Sequence, residues 1–93
     1  MIPTDKSGTI TSGGDSQLLA AANPQRKYFF FFNTSDITLY VNIFGNAATA
    51  ASPSIAVAPG WVLCYDGTFC PIAALYVYGA TTGKTFTASE GGY

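Results

Sequence analysis

The chain contains no histidine, and that absence removes most of the usual chemistry. Histidine is the common general base near neutral pH, the middle member of Ser-His-Asp and Cys-His arrangements, and the commonest zinc ligand. The acidic residues are Asp5, Asp15, Asp36, Asp66 and Glu90, dispersed in turns and termini. Cleaving a glycosidic bond takes two carboxylates facing each other across a cleft. Asp36 with Asp66 is a pairing open on paper, but both sit in turn sequences, where aspartate bonds its own backbone, and the turn role is favoured. The run Gly79-Ala80-Thr81-Thr82-Gly83-Lys84-Thr85 superficially matches a phosphate loop. Only three residues separate Gly79 from Gly83-Lys84-Thr85, one short of the motif. It also lies between two predicted strands, whereas a phosphate loop opens a helix, so a hairpin turn is expected.

Cys64 and Cys70 flank Tyr65-Asp66-Gly67-Thr68-Phe69. A two-residue Asp66-Gly67 turn pairs Tyr65 with Thr68 and Cys64 with Phe69, which puts the thiols on opposite faces. A three-residue loop instead sets Cys64 opposite Cys70, near disulfide geometry. Asp-Gly is the stronger hairpin signal and synthesis in the cytoplasm points the same way, so free thiols are expected. Two cysteines without histidine make a poor metal site. No catalytic, cofactor-binding or metal-binding set emerges, and the expected role is structural rather than enzymatic.

What remains to explain is the surface that the elements present. The 93 residues are 48% hydrophobic, 15% aromatic and 10% charged, with a formal net charge of −1. Average proteins carry about 25% charged residues, so this surface is unusually neutral and poorly protected from association. Ninety-three residues make one domain, expected over 1–93, with one modest core. Lys6, Arg26, Lys27 and Lys84 form no basic stripe, which argues against a nucleic-acid partner. The opening MIPTDKSGTITSGG lacks the apolar segment of a secretory signal. No apolar run approaches the ~18–20 residues of a membrane span. A soluble product of the cytoplasm, with no membrane partner, is expected.

Turn signals recur roughly every 8–12 residues between β-branched and aromatic runs, which indicates an all-β sandwich or barrel. The expected strands cover 8–12, 16–22, 27–33, 37–44, 54–58, 61–65, 69–78 and 84–88. The expected fold is therefore a small antiparallel β-sandwich or barrel of about seven to eight short strands. Residues 16–22 (SQLLAAA) have good helix propensity, so a short strand and a single helical turn are both open there. Residues 46–54 read as an exposed loop that could cross from one sheet to the other. Residues 1–7 read as a mobile arm or a strand that pairs with a neighbour.

Strand faces follow from the period of two. Ile37, Leu39, Val41 and Ile43 share one face, opposite Thr38, Tyr40, Asn42 and Phe44. Leu75 and Val77 oppose Tyr76 and Tyr78. Aliphatic-in and tyrosine-out is the sensible partition, because a tyrosine hydroxyl needs water or a partner. In KYFFFFN (27–33) the same rule sends Phe29 and Phe31 to the core and Tyr28, Phe30 and Phe32 outward. Tyr28, Phe30, Phe32, Tyr40, Phe44, Tyr76 and Tyr78 are thus candidates for an outward aromatic face. Trp61 and Tyr65 share one strand parity, and aromatics dominate binding hot spots. Arg26 is a candidate to brace a partner's loop or carbonyl groups, with a solvated surface role equally open.

The order of these motifs carries a resemblance. Asn23-Pro24-x-Arg26 precedes an apolar strand; Asn33-Thr34-Ser35-Asp36 and Leu39-Tyr40-Val41-Asn42 follow. Pro59-Gly60 comes next, and Gly79-Ala80-Thr81-Thr82-Gly83 leads to Phe86-Thr87-Ala88-x-Glu90. Over roughly residues 8–90 the chain resembles small structural proteins of tailed-bacteriophage virions, of the head decoration (cement) or accessory particle type. The motifs are ordinary turn and strand elements, and only their order is informative. The resemblance implies a capsid-stabilising protein located in the virion, acting commonly as a homotrimer on the outer shell. Its partners would be itself and the major capsid protein, with no cofactor. Two other roles fit the same residues: a tail or fibre module stacking host glycans on tyrosines and Trp61, and a ring component of the head–tail connector or tail.

Overall fold

The computed structural model describes residues 3–66 and 69–92. It is all-β: β1 (Thr4–Asp5), β2 (Gly8–Thr9), β3 (Ser16–Ala20), β4 (Arg26–Asn33), β5 (Leu39–Asn42), β6 (Ile55–Val57), β7 (Val62–Tyr65), β8 (Leu75–Tyr78) and β9 (Thr85–Gly92). The strands form two antiparallel sheets packed as a small sandwich. The first runs β1-β9-β4-β7, with β2 also on β9; the second runs β3-β8-β5-β6. The chain changes sheet at every connection except β1–β2 and β5–β6.

The period of two decides the layers. Phe29, Phe31, Phe86 and Ala88 point inward from the first sheet, and Leu39, Val41, Leu75 and Val77 from the second, all nearly or fully buried. Phe31 and Phe86 stack at 5.3 Å between ring centroids. Ile10, Leu19 and Val57 complete the core. Residues 16–22 resolve as a strand at Ser16–Ala20, because Leu19 and Ala20 are buried and Ala20 packs beside Leu75 in register. Tertiary packing thus overrides a good helix propensity.

Several connections differ from the expected ones. Cys64 and Cys70 were expected across an Asp66-Gly67 hairpin, but β7 and β8 belong to different sheets, so no hairpin joins them. Gly67 and Thr68, at the centre of that turn, lie outside the described residues. The long strand expected over 69–78 is strand only at Leu75–Tyr78; its first half, with Pro71, carries the chain between sheets. The 79–85 turn likewise links β8 to β9 across the sandwich instead of closing a hairpin. The 46–54 loop does not change sheet; it joins β5 to β6 within the second. Of the arm expected over 1–7, the described part docks on its own chain: Thr4 and Asp5 pair with Glu90 and Ser89, and the Lys6 amide donates to the Ala88 carbonyl. The last expected strand continues past residue 88 to Gly92.

Candidate interaction surface

β4 organises the molecule, and its two ends are polar. At the first end the alternation breaks. A bulge between Arg26 and Tyr28 inserts a residue, so Arg26 turns inward with Phe29 although it has the parity of Tyr28 and Phe30. Arg26 is 1% exposed and is therefore no surface candidate. Its Nε donates to Glu90 Oε1 at 2.9 Å, one terminal nitrogen donates to the carbonyls of Pro71 and Ala73, and the other to that of Ala21. Asn23 Nδ2 donates to the second carboxylate oxygen of Glu90. Glu90 is thus a buried strand residue and not part of a solvated tail. Ala21 follows β3 and Pro71–Ala73 precede β8, so one guanidinium ties the first sheet to the second. A planar fork with five donors suits that task better than any other cation.

The other end of β4 is closed by Asn33, fully buried. Its Nδ2 donates to the carbonyls of Ile37 and Val57 at 2.7 and 2.8 Å, and its Oδ1 accepts from the amide and hydroxyl of Ser35. Ile37 leads into β5 and Val57 ends β6, so this clamp too reaches the opposite sheet. Among the described residues every buried side-chain nitrogen and oxygen has a partner. These groups fix the fold and leave no polar atom aimed at a ligand.

No carboxylate cleft forms. Asp36 pairs with Lys84 at 2.6 Å on an exposed turn beyond Asn33; that hydrogen bond and charge hold its carboxyl below the ordinary 3.8. Asp66 follows Tyr65, which pairs with Phe29, and so lies toward the opposite end of β4. Among the described residues no pocket opens and no cluster of ligating side chains could hold a metal ion. Cys64 and Cys70 are unbridged, and burial pushes the Cys70 thiol up from its ordinary value.

The outward aromatics fall on two opposite faces instead of one. Tyr40, Tyr76 and Tyr78 line the second sheet, half-buried, with Tyr40 and Tyr78 edge to face at 6.0 Å. The chain covers part of this face itself. Ser16, Tyr78 and Tyr40 lie in one row across β3, β8 and β5. The amide of Ala48, a buried residue, donates to Ser16 Oγ at 2.9 Å. A loop that leaves β5 can reach β3 at this level only by folding back over the row. Asn42 starts that return, its Oδ1 accepting from the amides of Phe44 and Asn46.

On the first sheet Tyr28, Phe30 and Phe32 point outward, half-buried between β7 and β9. No hydrogen bond carries a loop over this row among the described residues. Phe30 lies opposite Cys64 and Ser89, and Phe32 opposite Val62 and Thr87. Val62 is 53% exposed and Cys64 is exposed. Trp61, just before β7, is 65% exposed and Phe69, between β7 and β8, 58%. Phe44 is 60% exposed at the far side of the molecule, beyond Asn42. Tyr65 is corrected: it shares the inward face with Phe29, packs against the core and meets Phe69 edge to face at 5.7 Å. Sequence reasoning missed Val62 and Cys64, because their face is set by register with β4, and it missed Phe69, which lies in no strand. It also missed Leu18 and Ile72, both more than half exposed.

The outer face of the first sheet is therefore a mainly apolar surface of Phe30, Phe32, Val62 and Cys64, bordered by the hydroxyls of Thr87 and Ser89, with Asp5 beyond Ser89 in the same row. Such a surface excludes water well when covered and offers little charge, Asp5 at its margin, to keep other proteins away. No protein-family model, curated protein or solved structure matches this chain.

Proposed function

We propose that the protein is a structural component of a phage particle, a capsid decoration (cement) protein that binds the outer shell as an oligomer through the outer face of its first sheet. The observation that carries the binding role is that face: largely apolar, with Asp5 at its margin, and with no hydrogen-bonded loop laid over it among the described residues, whose buried side-chain polar atoms all have partners. The particle itself rests on the resemblance in motif order. A protein of this kind acts by mass action, because binding the closed shell and not its disrupted form stabilises the shell. Chemistry has no part in that role.

Two measurements test it. Copy number per particle is expected in the hundreds, and the purified protein should bind empty shells in the absence of host cells. Phe30→Ser and Phe32→Ser should weaken shell binding at least tenfold while leaving the unfolding transition cooperative. Saturable binding to host polysaccharide with none to shells would transfer the face to a tail or fibre role.

A further inference from the structure

We propose that β7 pairs edge to edge and antiparallel with β7 of a second copy of this chain, fusing two first sheets into one about a two-fold axis. This rests on the self-association in the function proposed above, and not on the phage origin.

An open sheet edge displays unpaired amides and carbonyls, and folded proteins usually blunt it with charge, proline, a bulge or brevity. Three of the edges here are blunted. β1 is two residues long and contains Asp5 next to Lys6. β3 is interrupted by an irregularity between Leu18 and Ala20, and the Gln17 side chain bonds the Thr9 carbonyl and Thr11 amide. β6 is three residues long and lies between Pro53 and Pro59. β7 has none of these devices. Val62–Tyr65 carries no charge, proline or bulge, and among the described residues no strand pairs with its far side. Trp61, Val62 and Phe69, three of the large exposed apolar residues, lie on or beside it.

The hydrogen-bond phase settles which groups are free. Asn33 donates its amide to the Trp61 carbonyl, while the Trp61 amide donates to the Ala58 carbonyl, so in the antiparallel register Leu63 and Tyr65 are the residues that exchange bonds with β4. The amides and carbonyls of Val62 and Cys64 then face the open edge. They are self-complementary. With Leu63 opposite Leu63 of the second copy, Val62 of each chain exchanges both backbone bonds with Cys64 of the other. Trp61 then lies opposite Tyr65. The aligned run Trp61–Tyr65 has no charge, so two copies meet without repulsion, and Asp66 falls beyond the paired stretch. A stable pair covers about 800 Å² per partner, roughly a sixth of the 4861 Å² surface. Five paired residues fall short of that alone, so Phe69 beside them must be covered too. Affinity is expected in the micromolar range, on the order of 1–100 µM.

Sedimentation of the purified chain from about 1 to 300 µM should show a reversible monomer–dimer equilibrium. In the proposed register the two Cys64 Cα atoms are about 8 Å apart on the same face, from ~3.4 Å per residue along and ~4.8 Å across the strands. A short bis-maleimide should therefore link a Cys70→Ser chain into dimers. Val62→Lys places a charge on each side of the edge. It should abolish the cross-link and weaken dimerisation at least tenfold, with the unfolding midpoint unchanged because Val62 points to solvent in the monomer. A monomer at all concentrations overturns the proposal, as does a trimer, or a dimer indifferent to Val62→Lys. A Val62-dependent dimer that ignores shells supports the edge pairing and removes the decoration role. A monomer that binds shells does the reverse.

Discussion

Arg26→Met is the sharpest test of how the two sheets are held together. The guanidinium is 1% exposed and donates to the Glu90 carboxylate and to three carbonyls, those of Ala21, Pro71 and Ala73. Methionine fills much of the same space but donates nothing. It leaves Glu90, 8% exposed, with Asn23 as its remaining side-chain partner, and breaking a buried pair in this way costs about 3–5 kcal/mol. Each orphaned carbonyl adds about 1 kcal/mol where water cannot enter. Of the three carbonyl bonds only that to Pro71 is fully buried, so a loss of roughly 4–6 kcal/mol is expected against a total of about 5–15 kcal/mol. Urea unfolding followed by tyrosine and tryptophan fluorescence measures it. Adding Glu90→Gln should return part of the loss, about 1–3 kcal/mol, by removing the stranded charge. If Arg26→Met costs less than about 1 kcal/mol, or if Glu90→Gln adds its full cost on top, the clamp is not what joins the sheets. A soluble, stable Arg26→Met variant with impaired association would instead return Arg26 to the surface.

Three further outcomes follow from the same geometry. Asn33→Ala removes donors to Ile37 and Val57 and the acceptor for Ser35, and should cost about 2–3 kcal/mol in the same denaturation assay. Under limiting maleimide Cys64 should be alkylated well before Cys70, read by peptide mass spectrometry, because Cys64 is exposed while Cys70 is half-buried with its thiol pushed up. Asp36 and Asp5 have folded-state values below 3.8, held there chiefly by hydrogen bonds to Lys84 and Ser7 respectively. Their contribution is full above about pH 4 and is lost as pH falls through the lowered values. Asp36→Asn should therefore flatten the melting temperature curve only below about pH 4, leaving its shape between pH 5 and 8 as before.

The core was legible because its strands obey one simple rule. The alternation in residues 37–44, in 75–78 and in the phenylalanine run puts Leu39, Val41, Leu75, Val77, Phe29 and Phe31 where the structure buries them. Arg26, read as a partner-bracing or solvated residue, is turned inward by a bulge, which leaves no mark in composition. Asp66-Gly67 read as a hairpin because local turn chemistry cannot say which sheet the next strand joins. That choice depends on closing two sheets over one core, a non-local condition. The interaction face was half legible. Phe30 and Phe32 announced it, but Val62 and Cys64 join it only through register with β4, which no stretch of sequence states by itself.

The pairing of β4 with β9 also has a consequence for how the chain comes off the ribosome. Arg26–Asn33 is made before its longest partner, Thr85–Gly92, which follows about fifty residues later. At ~5–20 residues per second the four phenylalanines wait about 3–10 s before that side of the strand can close. In that interval the nascent chain holds an unfinished sheet with its most adhesive segment bare. The hydrogen-bonding partner of the run, and Glu90 that secures Arg26 beneath it, arrive together on the same strand.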